Sequence, residues 1–303
     1  FNSQLDPFAA QKLKGLESAY KSIEGLAPKV LGAVSDPPSL ETGLRLFTLV
    51  SLWGNRMDLS LWPAGSEGNV VDAFAEVLEN GGKNLLADDF AELLACAEDA
   101  KAAGGRRVDI IVDNAGFELV TDLCLADYLV SSGVASEVVF QLKAHPTFVS
   151  DAMERDLQLH VKYMADLDPG AFPGCAALGQ RWQGLVDSGA WKMHEDFFWV
   201  QPSAFWEMPP HLVDGLTGAA LAFTKGDANY RRLLGDRPWA LDCPFQEVVS
   251  YFPTTICALR TLKAELGCGM SKDMTQRAAS EDDQWMVNGK YGVIQVTPAV
   301  SPP

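Results

Sequence analysis

Several features that assign a chain to a common class are missing from this sequence. No stretch of its 303 residues approaches the roughly 20 apolar residues that a membrane helix needs. The first residues, FNSQLDPFAAQKLKGLESAY, lack the basic region and apolar core of a signal peptide. None of the six cysteines belongs to a CxxC pair. Free, mostly buried thiols in the cytoplasm or another reducing intracellular compartment are therefore favoured over three disulfides.

Common catalytic and nucleotide-binding signatures are also missing. The chain has no GxGxxG after a strand, no GxxxxGK[ST] loop, no GxSxG and no HExxH, and its four histidines form no spaced metal pair. The net charge of −16 opposes binding to nucleic acids and to anionic membranes, so neither is an expected partner. A phosphorylated small molecule remains possible, provided that a metal ion or a few cations compensate locally.

What is present indicates an α/β protein. Apolar residues make up 48% and charged residues 21%, a globular composition that suits one large or two medium domains. Helical spacing predicts a helical portion over residues 1–105, with helices at 6–35, 41–55 and 70–102 and a loop at 58–69. From residue 106 onward, strands alternate with helices, which predicts a mainly parallel sheet flanked by helices. The predicted helix starts include Thr121 and Asp151, and the predicted strands after the first lie at 136–145, 191–202 and 219–224.

Three predicted strands end in unusual polar clusters. Asp113-Asn114 follows RVDIIV, the stretch KAHPTFVSD runs from Lys143 to Asp151, and Lys225 opens the cluster KGDAN. Because ligands bind at the carboxyl ends of parallel strands, we expect these clusters to share one site.

The first two clusters have the composition of a hard-cation site. Asp113, Asn114 and Asp151 offer two carboxylates and an amide oxygen, which suit Mg²⁺ or Mn²⁺ and leave positions open for substrate. The alternative is structural, since Asp113 and Asp151 could instead cap the helices that follow them.

The third cluster offers cations and amides to a phosphate. Lys225, Arg231 and Arg232 lie around a predicted helix start, and Arg260, Thr261 and Lys263 follow another apolar run. The alternative for these cations is an ordinary solvated helix face.

Several ordered blocks resemble one known family. The blocks are VDNAGFELVTDLCLADYL, KAHPTFVSD, TKGDANYRRLLGDRPW, ALRTLKAELG and GKYGVIQ, with SLWGNRMDLSL at 51–61 as a further match. Together they resemble the damage-control phosphatases, in the branch also described as acidic-residue (protein-glutamate) methyltransferase-like, from about residue 45 to residue 296.

The resemblance implies a Mn²⁺- or Mg²⁺-dependent phosphatase of small sugar phosphates such as fructose-1-phosphate. It places the metal ligands on Asp113, Asn114 and Asp151, and the S-adenosylmethionine position of the methyltransferase description on Glu118. Asp113 or Asp227 would act as base or nucleophile, with Asp151 as the third catalytic carboxylate. The substrate-binding residues implied by the resemblance and by the strand ends are Asp113, Asn114, Lys225, Asp227, Asn229, Tyr230, Arg231, Arg260 and Lys263.

Two departures and two alternative functions remain. Ala228 stands where the family usually has a larger apolar residue, and the chain, which lacks an initiator Met, is expected to begin after the family's amino-terminal helical segment. Because some proposed S-adenosylmethionine contacts lie in that segment, methyl transfer to protein glutamate is the alternative and phosphate hydrolysis the main hypothesis. A non-catalytic subunit of a larger assembly is the further alternative.

Overall fold

The computed structural model describes residues 5–57 and 81–299. Within them, seven strands form one sheet in the order β1-β7-β6-β5-β2-β3-β4. Neighbours from β6 to β4 are parallel, whereas β7 runs antiparallel to β6 and parallel to β1. The strands are β1 (Leu85–Asp88), β2 (Arg106–Ile111), β3 (Ala135–Lys143), β4 (Trp191–Asp196), β5 (Leu221–Lys225), β6 (Ile256–Thr261) and β7 (Gly292–Thr297).

Helices cover both faces of this sheet. In chain order the helices of the described ranges are α1 (Ala9–Ser35), α2 (Leu40–Met57), α3 (Phe90–Ala102), α4 (Phe117–Ser131), α5 (Glu154–Ala165), α6 (Pro173–Asp187), α7 (Pro210–Leu216), α8 (Asp227–Leu233), α9 (Phe245–Val249) and α10 (Lys272–Glu281). None of them combines the length and apolar character that a bilayer-spanning helix requires.

The sheet separates two hydrophobic cores. On β2, Ile110 packs in one core and Ile111 in the other, because successive strand side chains point to opposite faces. On β5, Phe223 and Ala222 divide in the same way. Both faces are thus covered, which explains why the central strands read as continuous apolar runs rather than as alternating ones.

The predicted fold class is confirmed: the sheet is mainly parallel, helices flank it, and α1 and α2 form a helical amino-terminal portion. The part of the chain before residue 106 also supplies a strand, β1, within the predicted helix 70–102. Its four residues, LLAD, are too few to show an apolar periodicity that identifies a strand, and only the pairing with β7 reveals it. Residues 90–102 of that predicted helix are helical, as α3, whereas its residues 70–80 and the predicted loop 58–69 lie outside the described residues.

Two predicted helix starts and one strand end were wrong. Helix α4 begins at Phe117 rather than at Thr121, because Gly116 (φ 77°) turns the chain directly into the helix. Helix α5 begins at Glu154 rather than at Asp151, which instead forms an isolated β-bridge with Asn114. Strand β4 ends at Asp196, where a short 3₁₀-helix over Phe197–Val200 follows.

The six cysteines all lie in the described residues, and none of them forms a disulfide. Cys124 and Cys257 are fully buried, and burial raises the pKa of both thiols. The expectation of free, mostly buried cysteines is therefore confirmed.

Candidate functional site

A cavity of about 230 Å³ opens at the carboxyl ends of β2, β5 and β6. The parallel strands bring together residues that are more than 100 positions apart in the chain. Eight predicted site residues line this cavity: Asp113, Asn114, Glu118, Asp151, Lys225, Asp227, Thr261 and Lys263. Four of the eight are carboxylates and two are lysines, so the wall carries more negative than positive charge.

The segment after β2 is fixed by pairing with the segment before α5. Ala115 N–H donates to Ser150 O (2.7 Å), and Ala152 N–H donates to Asp113 O (3.0 Å). This short antiparallel pairing holds Asp113, Asn114 and Asp151 side by side at one end of the cavity. Neither aspartate acts as a helix cap, since the residues preceding α4 and α5 are Gly116 and Met153.

Lys143, the last residue of β3, links the two aspartates. Its ammonium lies 3.0 Å from Asp113 Oδ1 and 2.9 Å from Asp151 Oδ1, and it also donates to Asp113 O at 2.7 Å. Burial alone would lower the pKa of Lys143, but the two carboxylates outweigh burial and hold that pKa above its ordinary value. Burial raises the pKa of Asp151, and Lys143 opposes that rise.

Asn114 connects the aspartates to Glu118 on α4. Its Nδ2 donates to Asp113 Oδ2 and to Glu118 Oε2, each at 3.0 Å, and its Oδ1 accepts from Ser150 Oγ at 2.8 Å. Burial and the nearby Asp113 charge raise the pKa of Glu118 to about 7. This carboxyl thus lies where the local negative charge is already high.

Lys225, at the end of β5, is held against Asp122 of α4. Its ammonium is 3.1 Å from Asp122 Oδ1 and donates to Ser51 O on α2. Asp122 Oδ2 is buried and has no hydrogen-bond partner among the described residues. Lys225 therefore compensates the negative charge of the buried Asp122 and also lines the cavity.

Gly226 lets the β5 loop approach Asp113 closely. The residue has a φ of 85°, and a Cβ added there would lie 1.9 Å from Asp113 Oδ2. Any side chain at this position would therefore displace Asp113, so glycine is needed here for both conformation and space.

Asp227 is oriented by two groups from the β6 end. Its Oδ1 accepts from Arg260 Nε at 2.7 Å and from the Lys263 backbone N–H at 3.1 Å. Both bonds fall on Oδ1, and Oδ2 has no hydrogen-bond partner among residues 5–57 and 81–299. The Lys263 side chain is exposed at the cavity and is likewise without an ion-pair partner within these ranges.

Four other predicted substrate-binding residues do not line the cavity. Asn229 donates to Lys225 O (3.0 Å) and to Val112 O (3.3 Å), which ties the ends of β5 and β2 together. Tyr230 is buried, donates to Gln295 Oε1 at 2.6 Å and lies under the Arg260 guanidinium, 4.4 Å from the ring centroid. Arg260 therefore contacts Asp227 rather than the cavity, and Arg231 forms an exposed ion pair with Asp236.

Arg232 is also directed away from the site, since it donates to three carbonyl groups, of Phe198, Trp199 and Ser203. Helical geometry explains this division. In the seven residues of α8, Asp227 faces the cavity whereas Asn229 and Tyr230 face the core.

Sequence reasoning missed three contributions to the site. These are the Lys143 bridge between the aspartates, the Ser150 bond to Asn114, and Phe148 on the cavity wall. The block KAHPTFVSD contains all three residues, but no local pattern shows that it pairs with the segment after β2.

The donor set at one end of the cavity consists of oxygen atoms. The described residues include no cluster of three His, Cys, Asp or Glu side chains with metal-site geometry. Asp113 and Asp151, with the amide oxygen of Asn114, nonetheless form an oxygen-only set of the kind that Mg²⁺ and Mn²⁺ accept. The excess of carboxylates on the wall is consistent with an additional cation.

The chain is similar to proteins of one named family. Residues 1–278 match the model of the damage-control phosphatase ARMT1-like domain. The damage-control phosphatase ARMT1 of Danio rerio is 34% identical over 96% of this chain and 67% of its own length. The Mus musculus protein of that name is 38% identical over 81% of this chain and 57% of its own length.

A solved structure is also similar, with a TM-score of 0.48 and 19% identity over 88% of this chain and 73% of that chain. It is a DUF89 family protein from Pyrococcus horikoshii.

Proposed function

The chain belongs to the ARMT1-like damage-control phosphatase family, and from this premise we propose that it is a metal-dependent phosphatase of small sugar phosphates. Fructose-1-phosphate is the substrate we would test first. The observation that carries the proposal is one cavity lined both by carboxylate and amide oxygens, from Asp113, Asn114 and Asp151, and by an available lysine, Lys263, which follows β6. The chain spans 57% of the mouse relative and 67% of the zebrafish relative, so activity and substrate are proposals for this chain.

Asp113, Asn114 and Asp151 would hold the metal, Mn²⁺ or Mg²⁺. When bound there, the ion supplies Lewis-acid polarisation of the phosphoryl group and lowers the pKa of a bound water. The proposal is supported by the Lys143 bridge, which engages Oδ1 of each aspartate. Lys143 fixes the two carboxylates in place, and Asn114 is fixed in turn by Ser150.

Lys263 and Lys225 would bind the phosphate. The protein carries a net charge of −16, so an anion needs local positive charge to enter. Cations placed at the equatorial phosphate oxygens stabilise the charge that the transition state spreads over them. Lys263 is the better placed of the two, because Lys225 already compensates Asp122.

Asp227 is the better candidate to accept the proton of the attacking water. Asp113 accepts from Lys143 on Oδ1 and from Asn114 on Oδ2. Asp227 uses only Oδ1, for Arg260 and for the Lys263 N–H. A positioned carboxylate of this kind contributes about 10²–10⁴-fold to rate as a general base. Arg260, Tyr230 and Asn229 then serve as positioning residues.

The test is release of inorganic phosphate from fructose-1-phosphate with Mn²⁺ and with a chelator. Asp113→Ala and Asp151→Ala are expected to abolish the metal-dependent release. Asp227→Asn is expected to lower kcat by about 10²–10⁴-fold. The matched control is Asp166→Ala, since Asp166 is exposed at the end of α5 and, within the described part of the chain, pairs only with Lys162. Full activity in either the Asp113 or the Asp151 variant would exclude the assignment.

A further inference from the structure

Phe148 is an exposed aromatic residue on the wall of the proposed catalytic cavity. The residue is 79% exposed, and it lines the same cavity as Asp113 and Lys263. No other aromatic side chain of the described residues lines this cavity. Most of the other lining residues are charged or polar, so an exposed ring here is available to an apolar part of a ligand.

The backbone that presents Phe148 has an unfavourable conformation. Phe148 has a φ of 49° and Val149 a φ of 66°, and a β-branched residue in this region is an outlier. Ser150 N–H donates to Phe148 O at 2.7 Å, which closes a γ-turn of the rare type with positive φ around Val149. Backbone strain of this kind persists only where surrounding contacts fix it, and it concentrates at functional sites.

The contacts that fix this turn belong to the proposed metal site. Ser150 Oγ donates to Asn114 Oδ1 at 2.8 Å, and Ser150 O accepts from Ala115 N–H at 2.7 Å. The position of Phe148 is thereby coupled to Asn114 rather than left to a free loop.

We propose that Phe148 is a specificity-determining residue that packs against the carbon skeleton of the phosphorylated substrate. This inference rests on the proposed function, and it narrows the substrate class to phosphate esters whose carbon skeleton presents a C–H face, as sugars do. Small phosphate compounds without such a skeleton gain no binding affinity from the Phe148 ring.

The chemistry of the wall supports this substrate class. Ligand sites combine apolar surface, which supplies affinity, with a few polar groups, which fix orientation. Lys263 and the carboxylates occupy the polar role, while Phe148, with Leu52 and Leu259, supplies apolar surface. A sugar phosphate matches both, because its phosphate is ionic and the C–H face of its sugar is apolar.

The experiment is calorimetric titration of the full chain with Mn²⁺ present, using two ligands. One is a non-hydrolysable phosphonate analogue of fructose-1-phosphate, and the other is inorganic phosphate. In Phe148→Ala the Kd for the phosphonate is expected to rise about tenfold, equivalent to about 1.4 kcal/mol. The Kd for inorganic phosphate is expected to change by less than about twofold, which is below 0.5 kcal/mol. Phe148→Tyr keeps the ring and is expected to bind both ligands as the unchanged protein does.

Phe197→Ala is the matched control, because Phe197 is 55% exposed and does not line the cavity. It is expected to change neither Kd. The inference would be overturned if Phe148→Ala weakened the binding of both ligands equally or of neither. It would also be overturned if the unchanged protein did not bind the phosphonate.

Phosphate release from fructose-1-phosphate by the unchanged protein separates this inference from the proposed function. Turnover with no selective effect of Phe148→Ala would refute the inference alone. A selective effect on binding without turnover of any phosphate ester would refute the phosphatase function and leave the ring contact supported.

Discussion

Replacing Lys143 with Met should destabilise the protein and make its stability depend more strongly on divalent metal. The substitution keeps most of the buried aliphatic chain but removes the ammonium, which lies 3.0 Å from Asp113 Oδ1 and 2.9 Å from Asp151 Oδ1. The three side chains are 4%, 9% and 7% exposed, respectively. Water can therefore do little to solvate the two carboxylates that remain.

The magnitude follows from that burial. Removing one partner of a buried ion pair costs about 3–5 kcal/mol, because an uncompensated charge stays behind. Lys143 serves two carboxylates, so we expect a loss in the free energy of unfolding at the upper end of this range. The hydrogen bond to Asp113 O is lost as well, which adds about 1 kcal/mol.

The assay is urea denaturation of the unchanged protein and the variant, with Mn²⁺ and with a chelator. A cation that binds only the folded state stabilises by mass action, so Mn²⁺ should restore more stability to Lys143→Met than it adds to the unchanged protein. Lys192→Met is the matched control, because Lys192 lies on neighbouring β4 and pairs with Glu137 at the surface; we expect a loss below about 1 kcal/mol. A Lys143→Met loss as small as that of the control, or an equal response of both proteins to Mn²⁺, would refute this account of the bridge.

Three further outcomes are expected. Burial lowers the pKa of His160 from 6.5 to about 4, and the neutral imidazole accepts the Gly116 N–H at 2.8 Å. The contribution of His160 to the free energy of unfolding is therefore complete above pH 6.5 and is lost as the pH falls toward 4. That loss is about 3 kcal/mol. Between pH 6.5 and pH 4, the free energy of unfolding should therefore fall less in His160→Asn than in the unchanged protein, and an equal fall in the two proteins would contradict this role of His160. Val149→Gly should raise the free energy of unfolding by about 0.5–1 kcal/mol, because glycine adopts positive φ readily. Urea denaturation measures this change, and a destabilised variant would show that the turn is not strained. Cys124 and Cys257 should resist alkylation at neutral pH until urea unfolds the chain, because both thiols are fully buried. Mass spectrometry of labelled peptides measures this, and labelling of the native protein would argue against their burial.

The sequence was sufficient where a signal is local. The apolar run before Asp113 predicts a buried strand, and the polar residues after it predict a functional loop, which is the arrangement at the end of β2. Lys225 and Asp227 follow β5 for the same reason. The edge of the sheet on which these residues meet follows from parallel topology alone.

The sequence was insufficient where a position depends on distant contacts. Strand β1 exists because β7 pairs with it, and Asp151 lies beside Asn114 because two loops pair. The DANYR block also contains residues of different roles, which a motif match treats alike. Asp227 lines the cavity, whereas Tyr230 is buried against Gln295 and Arg231 pairs with Asp236.

We propose that one cavity binds a divalent metal at Asp113, Asn114 and Asp151 and a phosphate at Lys263. Anomalous diffraction from crystals soaked with Mn²⁺ and phosphate tests it directly. We expect an anomalous peak within about 2.0–2.3 Å of oxygen atoms of these three side chains, as hard cations require, and phosphate density beside the Lys263 ammonium. A manganese peak held by other residues, or phosphate bound away from Lys263, would contradict it.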